Sequence, residues 1–224
     1  MSLNNKFTVY CAHRSGSNYL DQLIRLNTER LQVVESNRNS IEWKHGTYWP
    51  NYNNDRKFNC LIARNPLKWV NGCMEFNADM WKWWGVNSDT RDELTFDYKD
   101  RVVSISKMIA KWNNYYNEWL DNSDCYFVWY PDLLNSRVRD NILNDIIQKY
   151  GLRRTTLKTA LPTTVQHSEN YNKKKTEQEL DLNYYPNLSD LQIQYIKDSI
   201  DPDLIKKMSE RREYESSGSI QWTA

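Results

Sequence analysis

Two apolar spacings alternate along the chain. Residues 7–11, FTVYC, make a short, continuous apolar and β-branched run, the composition of a strand buried on both faces. After a polar stretch, Leu20, Leu23, Ile24 and Asn27 recur at helical spacing. Residues 58–63, FNCLIA, are again too continuously apolar for an edge strand, which predicts a central place in a parallel sheet. Pro66 suits the first turn of a helix over 66–76, where its missing N–H costs nothing. Val102, Ile105, Ile109, Trp112, Tyr116 and Trp119 trace an amphipathic stripe best read as packing. Residues 125–130 predict the next strand. Val138, Ile142, Ile146 and Tyr150 then line a helix closed by Gly151. Short extended pieces are predicted at 31–34 and 40–47. This alternation predicts an α/β fold: a doubly wound, mostly parallel sheet flanked by helices, with ligands beyond the carboxyl ends of its strands. Beyond Gly151 the chain turns polar, with helices predicted over 188–200 and 201–208 and a frayed end. No repeat or linker divides it, so residues 1–224 read as one domain.

Composition narrows the chemistry. A chain of 224 residues with a net charge of +1 has no bulk pull toward nucleic acid or a membrane surface, so any positive site must be local. No apolar run approaches the roughly 20 residues of a membrane span, and the polar start MSLNNK is unlike a signal peptide. The expectation is a soluble, cytoplasmic protein. Cys11, Cys60, Cys73 and Cys125 have no CxxC pairing and read as small buried hydrophobes. With three histidines in the chain, no metal site is expected.

Between the first strand and the first helix lies HRSGSN, residues 13–18. A glycine permits a sharp turn, and small hydroxyl residues before a helix leave its unpaired N–H groups pointing into the loop, where a phosphate or sulfate can sit. A plain polar turn with Ser17 or Asn18 as the helix cap accounts for the same residues. The stretch is no nucleotide P-loop: GxxxxGK[ST], with its lysine and magnesium-binding hydroxyl, is absent.

Three segments, in order, resemble the sulfotransferases. Arg14-Ser15-Gly16-Ser17-Asn18-Tyr19 is similar to that family's 5′-phosphosulfate loop. Residues 61–67, LIARNPL, resemble its 3′-phosphate motif, and residues 126–134, YFVWYPDLL, its later strand ending in Tyr-x-Asp-Leu. The resemblance covers about the first two thirds of the chain. It implies a donor, 3′-phosphoadenosine 5′-phosphosulfate, and an acceptor hydroxyl or, second, amine on a small molecule or carbohydrate. The implied donor-binding residues are Arg14, Ser15, Gly16, Ser17, Asn18, Tyr19 against the adenine, and Arg64. Lys173 and Lys174 of the NYNKKKT stretch match a basic loop that closes over the 3′-phosphate in relatives. The family's serine eight residues after the arginine is replaced by Gly72, with Asn71 or Cys73 as substitutes for its hydrogen bond.

The same resemblance places the chemistry. Arg14 stands where the family commonly has a lysine; a guanidinium can stabilise a leaving phosphate but is no practical proton donor. Lys44-His45 resembles a pair between the two donor motifs, and His45 is the expected general base, since imidazole titrates near neutral pH. Glu42 is the competing base. Residues 80–85, MWKWWG, with Trp69, read either as core filling or as an acceptor pocket for sugar rings. Two rivals remain: a kinase-like phosphoryl transferase, and a non-catalytic nucleotide-binding module of the same fold.

Overall fold

The computed structural model describes residues 6–29, 32–33, 45, 57–74, 84–98, 101–162, 181 and 183–212. Its centre is a parallel sheet of four strands: β1 (Lys6–Cys11), β2 (Gln32–Val33), β3 (Lys57–Ala63) and β7 (Tyr126–Trp129), in the order β2-β1-β3-β7. β1 and β3 pair from Lys6↔Lys57 to Cys11↔Ile62, and β3 pairs β7 from Cys60↔Tyr126 to Ala63↔Trp129. β2 is joined only at Lys6↔Gln32 and Phe7↔Val33.

Successive residues of each strand point to opposite faces, and each face is covered. On one, Val9, Cys11, Cys60, Ile62 and Val128 meet Leu20, Leu23 and Ile24 of α1 (Ser17–Asn27) and Ile142 and Ile146 of α4 (Ser136–Lys149). On the other, Tyr10, Leu61, Phe127 and Trp129 meet α2 (Pro66–Met74), α3 (Ile105–Asn122), α5 (Asp190–Ser199) and α6 (Pro202–Glu210). The faces follow from handedness. The chain leaves β1 toward β2 in one direction and β3 toward β7 in the other, and right-handed crossovers then put their helices on opposite sides. The direction reverses between β1 and β3, where an open α/β sheet forms its ligand crevice.

The helix ends match their residues. The Asn65 side chain accepts from the N–H groups of Leu67 at 2.9 Å and Lys68 at 3.3 Å, capping α2 with Pro66 in its first turn. Gly151, at φ 60°, closes α4 through Gly151 N–H to Gln148 O and Leu152 N–H to Ile147 O, the paired bonds of a left-handed helix stop.

Two expectations are corrected. Val102 is not the start of the α3 stripe: β4 (Asn87–Ser88), β5 (Thr95–Tyr98) and β6 (Arg101–Ser104) form a second, antiparallel sheet, and α3 begins after Ser104, whose hydroxyl caps it through Lys107 N–H. The β-branched pair Val102 and Val103 favours the strand. The first helix is capped by Gly16 at φ 92°, not by Ser17 or Asn18, and has no side-chain cap. Among the described residues no helix is long and apolar enough to cross a membrane.

Candidate functional site

The crevice at the β1–β3 switch is built on one buried hydroxyl. Tyr116, fully buried on α3, accepts from Ala12 N–H at 3.2 Å, lies 2.9 Å from Ile62 O and 3.2 Å from the Ser15 hydroxyl. Its oxygen thus stands between the carboxyl ends of β1 and β3, where the ladder ends, and ties both to the loop. Burial pushes the Tyr116 hydroxyl far above the ordinary tyrosine range, so it stays a donor as well as an acceptor. Trp69 of α2, also fully buried, donates its indole N–H to His13 O. The loop therefore has two fixed points on the helices of one face.

On these anchors the loop takes an uncommon path. Arg14 is exposed and at φ 64°, the only non-glycine residue at positive φ among those described. The Ser15 N–H that follows bonds back to Ala12 O at 3.3 Å. Gly16 follows at φ 92°. A Cβ there would run into Cδ2 of Tyr130, so the Tyr130 ring rests on bare backbone. Ser15 and Ser17 are buried. Among the described residues no side chain caps the start of α1; the N–H groups of Tyr19 and Leu20 go to Gly16 O, and the positive end of the helix dipole faces the loop.

Arg64 enters from the end of β3. Its Nη1 donates to Arg14 O at 3.3 Å and its Cζ lies 5.9 Å from the centre of the Tyr130 ring. The Arg64 guanidinium therefore rests on the backbone of Arg14, across the switch. Both guanidiniums pull down on the Cys73 thiol, but burial dominates and holds it at about 12.

His45 lies against the same loop. Its Nδ1 is 2.8 Å from Cys11 O, and its ring stacks on His13 with centroids 3.7 Å apart. A carbonyl can only accept, so Nδ1 carries a proton, and in the neutral ring Nε2 carries the lone pair. Glu42, Lys44, Lys173 and Lys174 lie outside the described residues.

Other expected residues are placed elsewhere. Tyr19 is 4% exposed within the α1 core face, where burial raises its hydroxyl and a bond from Arg139 opposes the rise. It presents no open face for an adenine. Asn71 accepts from Asn187 N–H at 3.0 Å, which ties α2 to the segment before α5. Trp69 and Trp84 are core residues beneath the loop, Trp84 edge-on to His13 at 5.3 Å. Neither offers a ring to a sugar.

Tyr116 and Tyr130 were missed as site residues. The signal for Tyr116 was a tyrosine in a buried stripe, whose hydroxyl must find a partner. No histidine, cysteine and carboxylate cluster suited to a metal occurs among the described residues. No protein-family model, curated protein or solved structure matches the chain.

Proposed function

We propose that the protein is a sulfotransferase that moves the sulfuryl group of 3′-phosphoadenosine 5′-phosphosulfate to an acceptor hydroxyl. The observation that carries the reading is the Arg64 guanidinium resting on the Arg14 backbone across the β1–β3 switch, beside a helix start without a side-chain cap and a histidine whose Nδ1 faces a carbonyl. Arg14, the loop N–H groups and Ser17 would hold the 5′-phosphosulfate, and Arg64 the 3′-phosphate. The reading is supported by Arg14, Arg64 and the start of α1 meeting at one loop that is held by buried anchors. The donor supplies an activated sulfur–oxygen bond.

In the proposed reaction the acceptor oxygen bonds to sulfur, the bond from sulfur to the 5′-phosphate oxygen breaks, and 3′,5′-bisphosphoadenosine leaves. His45 Nε2 takes the acceptor proton, with Nδ1–H held on Cys11 O throughout. Arg14 and the helix start stabilise charge on the leaving phosphate, where fixed donors need no reorganisation. Arg14 acts as a charge and not as an acid.

Calorimetry without magnesium tests the reading. 3′,5′-Bisphosphoadenosine should bind much more tightly than AMP or ATP. Equal affinity for AMP, which has no 3′-phosphate, would remove the role given to Arg64. Under saturating donor, His45→Ala should lose turnover with donor affinity kept; a fully active variant would move the base elsewhere.

A further inference from the structure

The glycine at position 72 has no backbone reason to be there. It lies inside α2, without a positive φ, at a place where alanine is the better helix former. What it provides is space. A Cβ on Gly72 would lie 2.7 Å from Nη1 of Arg64, 3.5 Å from its Cζ and 3.7 Å from Nη2. The guanidinium carbon also lies 5.9 Å from the centre of the Tyr130 ring, which in turn rests on Gly16. Arg14 O accepts from Nη1.

From these contacts we infer that Gly72 and Tyr130 are positioning residues that seat the Arg64 guanidinium. In taking Arg64 as the cation for the 3′-phosphate, the inference rests on the sulfotransferase reading. The serine expected at position 72 has no substitute because the arginine fills the space itself. A side chain there would displace the flexible end of Arg64 rather than the helix, and the bond to Arg14 O, already 3.3 Å long, would break.

The seat is read first without any ligand. In protein labelled with ¹⁵N-arginine, the Arg64 Nε–Hε resonance, assigned through Arg64→Lys, should exchange slowly with water and be shifted by the Tyr130 ring. Gly72→Ala should speed that exchange and return the shift toward that of an exposed arginine, as should Tyr130→Leu, while the melting temperature of Gly72→Ala stays level or rises. An Arg64 resonance unchanged in Gly72→Ala would overturn the inference, whether or not the protein binds a nucleotide. The second arm uses 3′,5′-bisphosphoadenosine and, separately, pyrophosphate. Gly72→Ala should weaken the nucleotide about tenfold in the parent, the scale of one charged contact, and leave it unchanged in an Arg64→Ala background. An equal loss in both backgrounds would mean that Gly72 acts on the fold and not through Arg64. If neither anion binds the parent, the function reading fails while the resonance still decides the seat.

Discussion

Tyr116→Phe removes a single oxygen, and the structure sets what that should cost. Ala12 N–H loses its acceptor at 3.2 Å, and Ile62 O and the Ser15 hydroxyl lose a neighbour at 2.9 and 3.2 Å, all in a fully buried setting. Each buried polar group left without a partner costs about 1–3 kcal/mol. The Ser15 hydroxyl can rotate toward one orphan, which leaves the other unpaired and brings the cost to roughly 1–3 kcal/mol. That is a large share of the 5–15 kcal/mol or so typical of a domain. With a urea slope of about 2–3 kcal/mol per molar for a chain of this size, the midpoint should fall by roughly 1 M. Equilibrium unfolding in urea, followed by tryptophan fluorescence, measures it. A shift under about 0.2 M at unchanged slope would mean that the hydroxyl does not bridge the strands, and the account of the crevice would fall with it.

Alkali should unfold the protein early. Burial holds Cys73 at about 12 and Cys125 at about 11, and raises Cys60, Tyr115 and Tyr150 as well. The folded state therefore keeps these protons where the unfolded chain sheds them. The stability they contribute is intact below about pH 9 and falls above it, by up to about 1.4 kcal/mol per pH unit for each group; a urea midpoint equal at pH 8 and pH 10 would contradict this. Asp132 and Arg212 pair at 2.6 Å with side chains 6% and 4% exposed, so Arg212→Ala should cost about 3–5 kcal/mol in urea unfolding by stranding a buried charge, and the double variant with Asp132→Leu less. Arg14→Gly should raise stability by about 0.5–1 kcal/mol, the relief of a left-handed non-glycine residue less the added freedom of glycine in the unfolded chain. In calorimetry the same variant should bind 3′,5′-bisphosphoadenosine more weakly, and unchanged affinity would make Arg14 a loop residue only.

What the sequence disclosed was periodic or local. The continuous apolar runs at β1, β3 and β7 mark strands covered on both faces, since such a strand has no polar side to show, and Asn65-Pro66 and Tyr150-Gly151 mark helix ends because their backbones are constrained. The antiparallel sheet escaped notice for a matching reason. β4 and β5 have two and four residues, and their burial is intermediate or exposed, so no apolar pattern sets them apart from a loop. Within the site, the loop residues were legible as a type of turn, but their conformation was not. That Arg14 is left-handed follows from anchors on α2 and α3, more than fifty residues away, and no local window contains Trp69 or Tyr116. Gly72 looked like a loss at a motif position because its partner, Arg64, is two helical turns from it and on another element's end.

The anchors bear on how an electrostatic site keeps its shape. An arginine at positive φ beside a helix start would, in a loop of small residues, relax to an ordinary backbone path. Here relaxation is opposed from beneath. Trp69 holds His13 O, Tyr116 holds Ala12 N–H and neighbours Ser15, and the Tyr130 ring lies on Gly16, so each loop residue from 12 to 16 except Arg14 touches a buried aromatic side chain. Arg14 is the residue left to face outward, and it carries the strained φ. Strain of about 1–2 kcal/mol at that position is small beside the packing of two buried aromatics, each costing about 3–5 kcal/mol to truncate. The fold can therefore hold the loop in this conformation without a ligand, and on the proposed function that is the condition under which fixed donors favour a charged transition state most.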